Sequence, residues 1–218
     1  MALPHRVGLK MNTRRRSTRY MCRLIETIRF QEGQFNNLGY HEHRMRKALK
    51  EIYGTDGELK IETVLDKHPR PVSGLYKCRL TYDNNSSDIK FTSYTARPVN
   101  SLKLVFDDTI SYPHKFSDRK RLENHFEQRG ICDDVLIIKN GRVTDTTYAN
   151  IVVRRGREWF TPSSFLLAGT MRQSLLDKKM IHEIDIKAED MTDFESFRII
   201  NAMLMFDAPE VSIEHIMR

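Results

Sequence analysis

Three separated segments in the middle of the chain contain residues that could do chemistry. Lys115 lies ahead of a predicted helix, Asp145 lies in a strand-like run, and Gly169-Thr170 begins another predicted helix. A lysine that loses its proton is a nucleophile and forms a Schiff base with an aldehyde. A carboxylate can keep a ring nitrogen protonated, and the free amides of a helix start bind phosphate.

Together these groups are the ones needed to hold pyridoxal phosphate. Lys115 would take its aldehyde, Asp145 its ring nitrogen, and Gly169-Thr170 its phosphate, with the Thr170 hydroxyl as a further donor. Arg44 could add a bidentate clamp on the phosphate. Each signal is weak alone, because lysines and aspartates mostly lie on the surface and helix starts are common.

Other classes of site are disfavoured by the sequence. His41 and His43 cannot share a helical face at a spacing of two, and no cysteine or acidic cluster completes a ligand set nearby, so we expect no metal. Cys22, Cys78 and Cys132 are widely spaced and form no Cys-x-x-Cys pair. This argues against a disulfide framework or structural zinc and for a reducing compartment. No Walker-type loop, Gly-x-Gly-x-x-Gly or Gly-x-Ser-x-Gly occurs.

The net charge of +7 on 218 residues is concentrated at one end. Residues 1–20 contain six basic side chains and no acid, which leaves about +1 for the rest. This segment could be a targeting sequence, a nucleic-acid arm, or residues upstream of a start at Met21. A basic-tailed nucleic-acid-binding protein is therefore the non-enzyme alternative. No apolar run approaches the ~20 residues of a membrane span, so we expect no membrane association.

The elements that must position these groups predict an α+β fold of two domains. Residues 1–20 form a basic tail, expected to be disordered, residues 21–108 a smaller α+β domain, and residues 112–218 a larger cofactor-binding domain, with a hinge near 107–113. Periodicity and turn signals predict strands at 22–30, 34–37, 74–82, 88–95, 101–106, 133–139, 143–147, 150–154 and 197–201, and helices at 41–53, 118–129 and 170–179. Asn140-Gly141 is the strongest hairpin signal.

Two segments in the first half of the chain and near its middle resemble the class IV aminotransferase family. Residues 24–29, Leu-Ile-Glu-Thr-Ile-Arg, followed by His41-Glu42-His43-Arg44, are similar to the family's Phe-Glu-Thr-Ile-Arg strand and His-x-x-Arg helix. Residues 115–122, Lys-x-x-Asp-Arg-x-x-Leu, resemble the Lys-x-x-Asn-Arg-Leu of its aminodeoxychorismate lyase members. The resemblance spans about residues 21–216.

Three later segments continue the resemblance in the same order. Residues 141–145 and 149–151 are similar to the family's Gly-x-Val-x-Glu and Ala-Asn-Ile run, with Asp145 where the family has glutamate. Residues 168–172 resemble its Gly-Ile-x-Arg phosphate turn, and Asn201-Ala202-Met203 resembles a further loop on the phosphate side.

The resemblance implies a pyridoxal 5'-phosphate enzyme with its cofactor in the interdomain cleft. Lys115 is then catalytic and binds the cofactor covalently, with Arg44, Asp145, Gly169, Thr170, Asn201 and Ala202 as its other binding residues. The wording favours an aminodeoxychorismate lyase, which releases pyruvate and leaves 4-aminobenzoate for folate biosynthesis. The alternative is an aminotransferase for branched-chain or D-amino acids. We expect a small-molecule amino substrate, a cytoplasmic homodimer and no nucleic-acid partner.

Overall fold

The computed structural model describes residues 23–55 and 59–218. The predicted basic tail, residues 1–20, and the start of the first predicted strand lie outside these ranges. Within them, alternating apolar residues produce an antiparallel sheet and a mixed sheet, and the chemically important residues lie between the two.

The first sheet is antiparallel, and helices cover one of its faces. Its strands are β1 (Leu24–Gln31), β2 (Gln34–Phe35), β3 (Leu75–Tyr82) and β4 (Ser87–Ser93), in the order β2-β1-β3-β4. Helices α1 (Leu38–Tyr53) and α2 (Ile61–Leu65) pack on this sheet through a shared apolar core. Because side chains alternate along a strand, the residues between the core positions of β1 and β3 point to the opposite face.

The second sheet has nine strands and occupies the rest of the chain. Its strands are β5 (Leu102–Phe106), β6 (Asp134–Lys139), β7 (Arg142–Thr146), β8 (Asn150–Arg155), β9 (Glu158–Pro162), β10 (His182–Ile184), β11 (Ser196–Ile200), β12 (Val211–Ser212) and β13 (Ile216–Met217). The main path runs β10-β9-β8-β7-β6-β5-β13, with β11 on β8 and β12 on β11. Helices α3 (Lys120–Phe126) and α4 (Thr170–Asp177) complete the fold.

Strand β8 pairs with three other strands of this sheet. One edge of β8 pairs with β11 over residues 150–154. The other edge is shared, because β7 meets it through Asp145 and Asn150 while β9 meets it from Val153 to Arg155. The end of β7 therefore separates from β9, which leaves room for the loop that leads into α4.

The predicted α+β class is confirmed, and most predicted elements are present with shifted ends. Helix 118–129 is shorter, because α3 starts at Lys120 and its last turn, Glu127–Arg129, is a 3-10 helix. The arm predicted at 34–37 is only the two-residue β2, since Asn37 adopts a left-handed conformation (φ 55°) ahead of α1. The predicted domain boundaries stay a prediction. None of the helices in the described ranges is long and apolar enough to cross a bilayer.

Candidate active site

A cavity of about 470 Å³ lies between the two sheets. All seven residues that the sequence singled out line it: Arg44, Lys115, Asp145, Gly169, Thr170, Asn201 and Ala202. They come from α1, the segment before α3, β7, the start of α4 and the turn after β11. The structure thus brings together residues as far apart as 44 and 202, although the roles assigned to them remain predictions.

Lys115 lies in an extended segment that is held against β1. Its carbonyl accepts a hydrogen bond from the Ile25 amide at 2.9 Å, and the Ser117 amide donates to the Arg23 carbonyl at 2.7 Å. Burial, together with the nearby cations Arg44 and Arg119, lowers the pKa of the Lys115 ammonium to about 7. An appreciable fraction of this amine is therefore neutral near pH 7, which is the form that attacks an aldehyde.

Asp145 lies at the end of β7 and is buried, with 5% of its surface exposed. One carboxylate oxygen accepts from the Asn150 side-chain amide at 2.8 Å. The other accepts from the backbone amides of Leu166 and Leu167 at 3.0 and 2.9 Å. Burial raises the pKa of Asp145 to about 6, and these three donors oppose that rise. A cationic ring nitrogen beside this carboxylate would keep it ionised.

Gly169 is required by the side chain of Asn150. A Cβ at position 169 would lie 1.9 Å from the Asn150 Oδ1 atom, far inside van der Waals contact. The Asn150 amide also donates to the Leu167 carbonyl at 3.0 Å. Asn150 thus connects the Asp145 carboxylate to the turn that enters α4, and glycine is the residue that fits at 169.

At the other end of the cavity, Arg44 forms a two-bond ion pair with Glu26. The Arg44 Nε and Nη2 atoms donate to the two Glu26 oxygens at 2.9 and 2.5 Å, and Nη1 donates to the Ala168 carbonyl at 3.2 Å. Glu26 is fully buried, and despite that burial Arg44 and His41 lower its pKa to about 2. Arg44 is therefore fixed in place beside the start of α4.

Thr170 is the first residue of α4, and its hydroxyl meets the ring of His41. The Thr170 Oγ1 atom lies 3.3 Å from His41 Nε2, and His41 Nδ1 lies 2.6 Å from Glu26. The first amides of a helix have no acceptor within the helix, so those of α4 are available to an anion.

Asn201 and Ala202 lie in the turn that follows β11. The Asn201 Oδ1 atom accepts from the amides of Met203 and Leu204 at 2.8 and 2.9 Å, and its Nδ2 donates to the Tyr148 carbonyl at 3.3 Å. These bonds hold the turn closed, so Asn201 shapes the cavity wall here. A bond from Arg29 to the Met203 carbonyl at 2.8 Å joins the turn to β1.

Among the charged residues of the remaining wall, basic side chains are in excess. Four further cationic side chains line the cavity: Lys77, Arg79, Arg97 and Arg119. Its only lining carboxylates within the described ranges are Glu123 and Asp145. Lys77 and Arg79 alternate with the core residues Cys78 and Leu80 along β3, which places them on the face opposite α1. Within the described residues neither of the two cations has an acidic partner.

Three contributors to this site were not predicted from the sequence. Glu26 shares the core-facing positions of β1 with Leu24 and Ile28, and a charge on an apolar face is a detectable sign of a buried ion pair. Asn150 was part of a quoted motif without an assigned role. Arg79 had no local signal, because its place in the cavity depends on how β3 pairs with β1.

Comparison with known proteins places the chain in a family. The model of the family described as amino-transferase class IV matches residues 23–207. A Haemophilus influenzae protein of uncharacterised function is 37% identical over 186 residues, with 84% of this chain and 98% of the relative covered. A Schizosaccharomyces pombe protein named "Putative aminodeoxychorismate lyase" is 36% identical, covering 88% of this chain and 93% of the relative.

Solved structures agree with this placement. A crystal structure from Haemophilus somnus, titled as that of a "putative 4-amino-4-deoxychorismate lyase", has a TM-score of 0.79 at 35% identity, and the match covers 84% of this chain and 96% of that one. A Brucella abortus aminotransferase bound to pyridoxal phosphate has a TM-score of 0.68 at 18% identity and shows the shared fold. The prediction of an enzyme is confirmed. The chain belongs to the class IV aminotransferase family and is a pyridoxal 5'-phosphate-dependent enzyme.

Proposed function

We propose that this protein is an aminodeoxychorismate lyase, which eliminates pyruvate from 4-amino-4-deoxychorismate and leaves 4-aminobenzoate. The observation that carries the proposal is the unpaired basic wall of the cavity. It is supported by the two relatives whose names give that activity.

The residues of the cavity fit the cofactor. A half-buried lysine, Lys115, with a lowered pKa suits the aldehyde, and the buried Asp145 carboxylate suits a protonated ring nitrogen. Arg44 and the amides at the start of α4 suit a phosphate dianion. When bound, the cofactor supplies an electron sink for the electron pair left on the substrate carbon.

Lys115 would have two roles in turnover. It would hold the cofactor covalently through its amine. As a free amine, with its pKa lowered by burial and by nearby cations, Lys115 could also remove the proton from the carbon that bears the substrate's amino group. Asp145 keeps the ring nitrogen protonated, which favours loss of that proton.

The charge of the cavity favours this substrate over a branched-chain amino acid. Aminodeoxychorismate has two carboxylates, whereas a branched-chain amino acid has one carboxylate and an apolar side chain. Arg44 is already neutralised by Glu26, so Lys77, Arg79, Arg97 and Arg119 are the cations left for the substrate. Two carboxylates would pair with this excess, and an apolar side chain would leave it unpaired.

The test is a direct comparison of substrates on purified full-length protein. We expect 4-aminobenzoate and pyruvate from aminodeoxychorismate, and little amino transfer from a panel of branched-chain and D-amino acids with keto acids. Arg79→Met should raise KM for aminodeoxychorismate about 10- to 100-fold, because a charge-assisted bond is lost. The matched control is Lys90→Met, since Lys90 pairs with Arg79 in the sheet but does not line the cavity. Amino transfer without pyruvate release would assign the alternative function.

We also propose that the protein is a cytoplasmic homodimer. The cavity rim includes the exposed residues Thr95 and Arg97, so it is open on a side that a second copy could cover. The described cysteines, Cys78 and Cys132, are unbonded and buried, in keeping with a reducing compartment. Light scattering on the eluted protein would give the mass, and a monomer would refute the dimer.

A further inference from the structure

One buried carboxylate, Glu26, is connected to two side chains at one end of the cavity. It binds Arg44 directly, and it is linked to Thr170 through His41. Glu26 lies on β1, Arg44 and His41 lie on α1, and Thr170 begins α4. Glu26 and His41 are both fully buried, with 0% exposure. The three elements therefore meet at a single buried acid.

The bonds between Glu26 and Arg44 determine which N–H groups of Arg44 remain free to bind a ligand. A guanidinium has five N–H groups, and Arg44 uses Nε and one hydrogen on Nη2 for Glu26 and one on Nη1 for Ala168. One hydrogen on each Nη atom is left. Glu26 therefore fixes the guanidinium while leaving it two N–H donors for an anion such as phosphate.

The bond between Glu26 and His41 determines whether the Thr170 hydroxyl donates or accepts in its contact with His41. The ionised Glu26 can only accept, so His41 Nδ1 bears the hydrogen of that 2.6 Å bond. Burial lowers the pKa of His41, so its ring is neutral and Nε2 is an acceptor. The Thr170 hydroxyl therefore donates to His41 Nε2, and the backbone amides at the start of α4 are the donors left there for an anion.

We propose that Glu26 and His41 are positioning residues for the cofactor phosphate. Glu26 orients Arg44 directly, and through His41 and Thr170 it anchors the first turn of α4. This inference rests on the proposed function in one respect: it takes the Arg44 and Thr170 end of the cavity as the phosphate site.

The test compares pyridoxal phosphate with pyridoxal, which lacks the phosphate, as ligands of the full-length apoprotein. The Kd of pyridoxal divided by the Kd of pyridoxal phosphate measures the contribution of the phosphate to binding. A general loss of folding would weaken both ligands and leave this ratio unchanged. We expect Glu26→Gln to reduce that ratio about 10- to 100-fold and His41→Phe to reduce it about 3- to 10-fold, with the Kd of pyridoxal nearly unchanged. The matched control is Tyr40→Phe, which removes another contact between α1 and α4, the 2.9 Å bond to Asp177. It should leave both Kd values unchanged.

Two further variants separate failure of this inference from failure of the proposed site. If the wild type prefers pyridoxal phosphate, and Arg44→Ala reduces the preference while Glu26→Gln and His41→Phe leave it unchanged, the positioning role is refuted. If Arg44→Ala leaves the preference unchanged, Arg44 does not bind the phosphate, and the proposed site itself is wrong. Should Glu26→Gln fail to fold, the test is Thr170→Ala in the wild type and in His41→Phe. Equal losses in both would refute the connection between His41 and Thr170.

Discussion

Replacing Gly169 by alanine tests the arrangement around Asp145. The new Cβ would lie 1.9 Å from Asn150 Oδ1, and ordinary contacts begin near 3.4 Å, so the Asn150 amide must move by about 1.5 Å. It would then lose its bonds to Asp145 and to the Leu167 carbonyl. A bond to a charge contributes about 1.5–3 kcal/mol and a neutral one about 0.5–1.5 kcal/mol, so we expect a loss of about 2–4.5 kcal/mol in the free energy of unfolding.

The same change should alter the pH dependence of turnover. Asn150 is one of three donors that hold down the pKa of Asp145, which is about 6. Without that donor the pKa of Asp145 rises, so the carboxyl group gains a proton at higher pH and the acid limb of the kcat profile moves to more alkaline pH. Denaturant unfolding and a pH series of kcat measure the two effects.

Gly39→Ala is the matched control, because Gly39 lies in α1 with nothing within 4 Å of its added Cβ. It should leave kcat unchanged and stabilise the protein by up to about 1 kcal/mol through helix propensity. In an Asn150→Ala background, Gly169→Ala should cost less than about 0.5 kcal/mol, because the clash has been removed. An equal cost in both backgrounds would refute the reasoning.

Four further substitutions, at three residues, have defined outcomes. Lys115→Ala should abolish both turnover and the borohydride-sensitive absorbance of the bound cofactor, and a variant that retains that absorbance would show that another lysine binds the cofactor. Asp145→Asn should retain the cofactor but lose most of its kcat, and full activity in this variant would exclude the carboxylate as the partner of the ring nitrogen. Asp145→Glu should also lower kcat, because the amides of Leu166 and Leu167 already fit the shorter side chain. Arg119→Met should raise the pKa of Lys115 above about 7, so that the rate of cofactor binding by apoprotein increases only at more alkaline pH, and an unchanged pH profile would contradict the contribution of Arg119.

The sequence alone predicted the elements whose signals are local. Strand alternation and the Asn140-Gly141 turn gave the hairpin of β6 and β7, and the apolar spacing of residues 45–52 gave most of α1. The short helix α2 and strand β9 were missed. Helix α2 has five residues and β9 also has five, lengths at which tertiary packing outweighs local preference.

The candidate site was predictable where a residue's chemistry and its order in the chain were enough. Lys115, Asp145 and Gly169 stand in an order that resembles the family, and all three line one cavity. The partners that hold them depend on contacts across the fold. Glu26 reaches Arg44 across 18 positions, and Asn150 is needed to explain why Gly169 has no room for a methyl group.

The attachment of the Lys115 segment to β1 has a mechanical consequence. Although Lys115 precedes α3 in the chain, its backbone is bonded to the first sheet, whereas Asp145 belongs to the second. The distance between Lys115 and Asp145 therefore depends on how the two sheets are joined at the seam between them. Bonds such as the one from Arg29 to the Met203 carbonyl help to hold that seam. A substitution that breaks contacts at that seam would therefore lower activity while each sheet remained folded. Activity would then report the relative position of the two sheets.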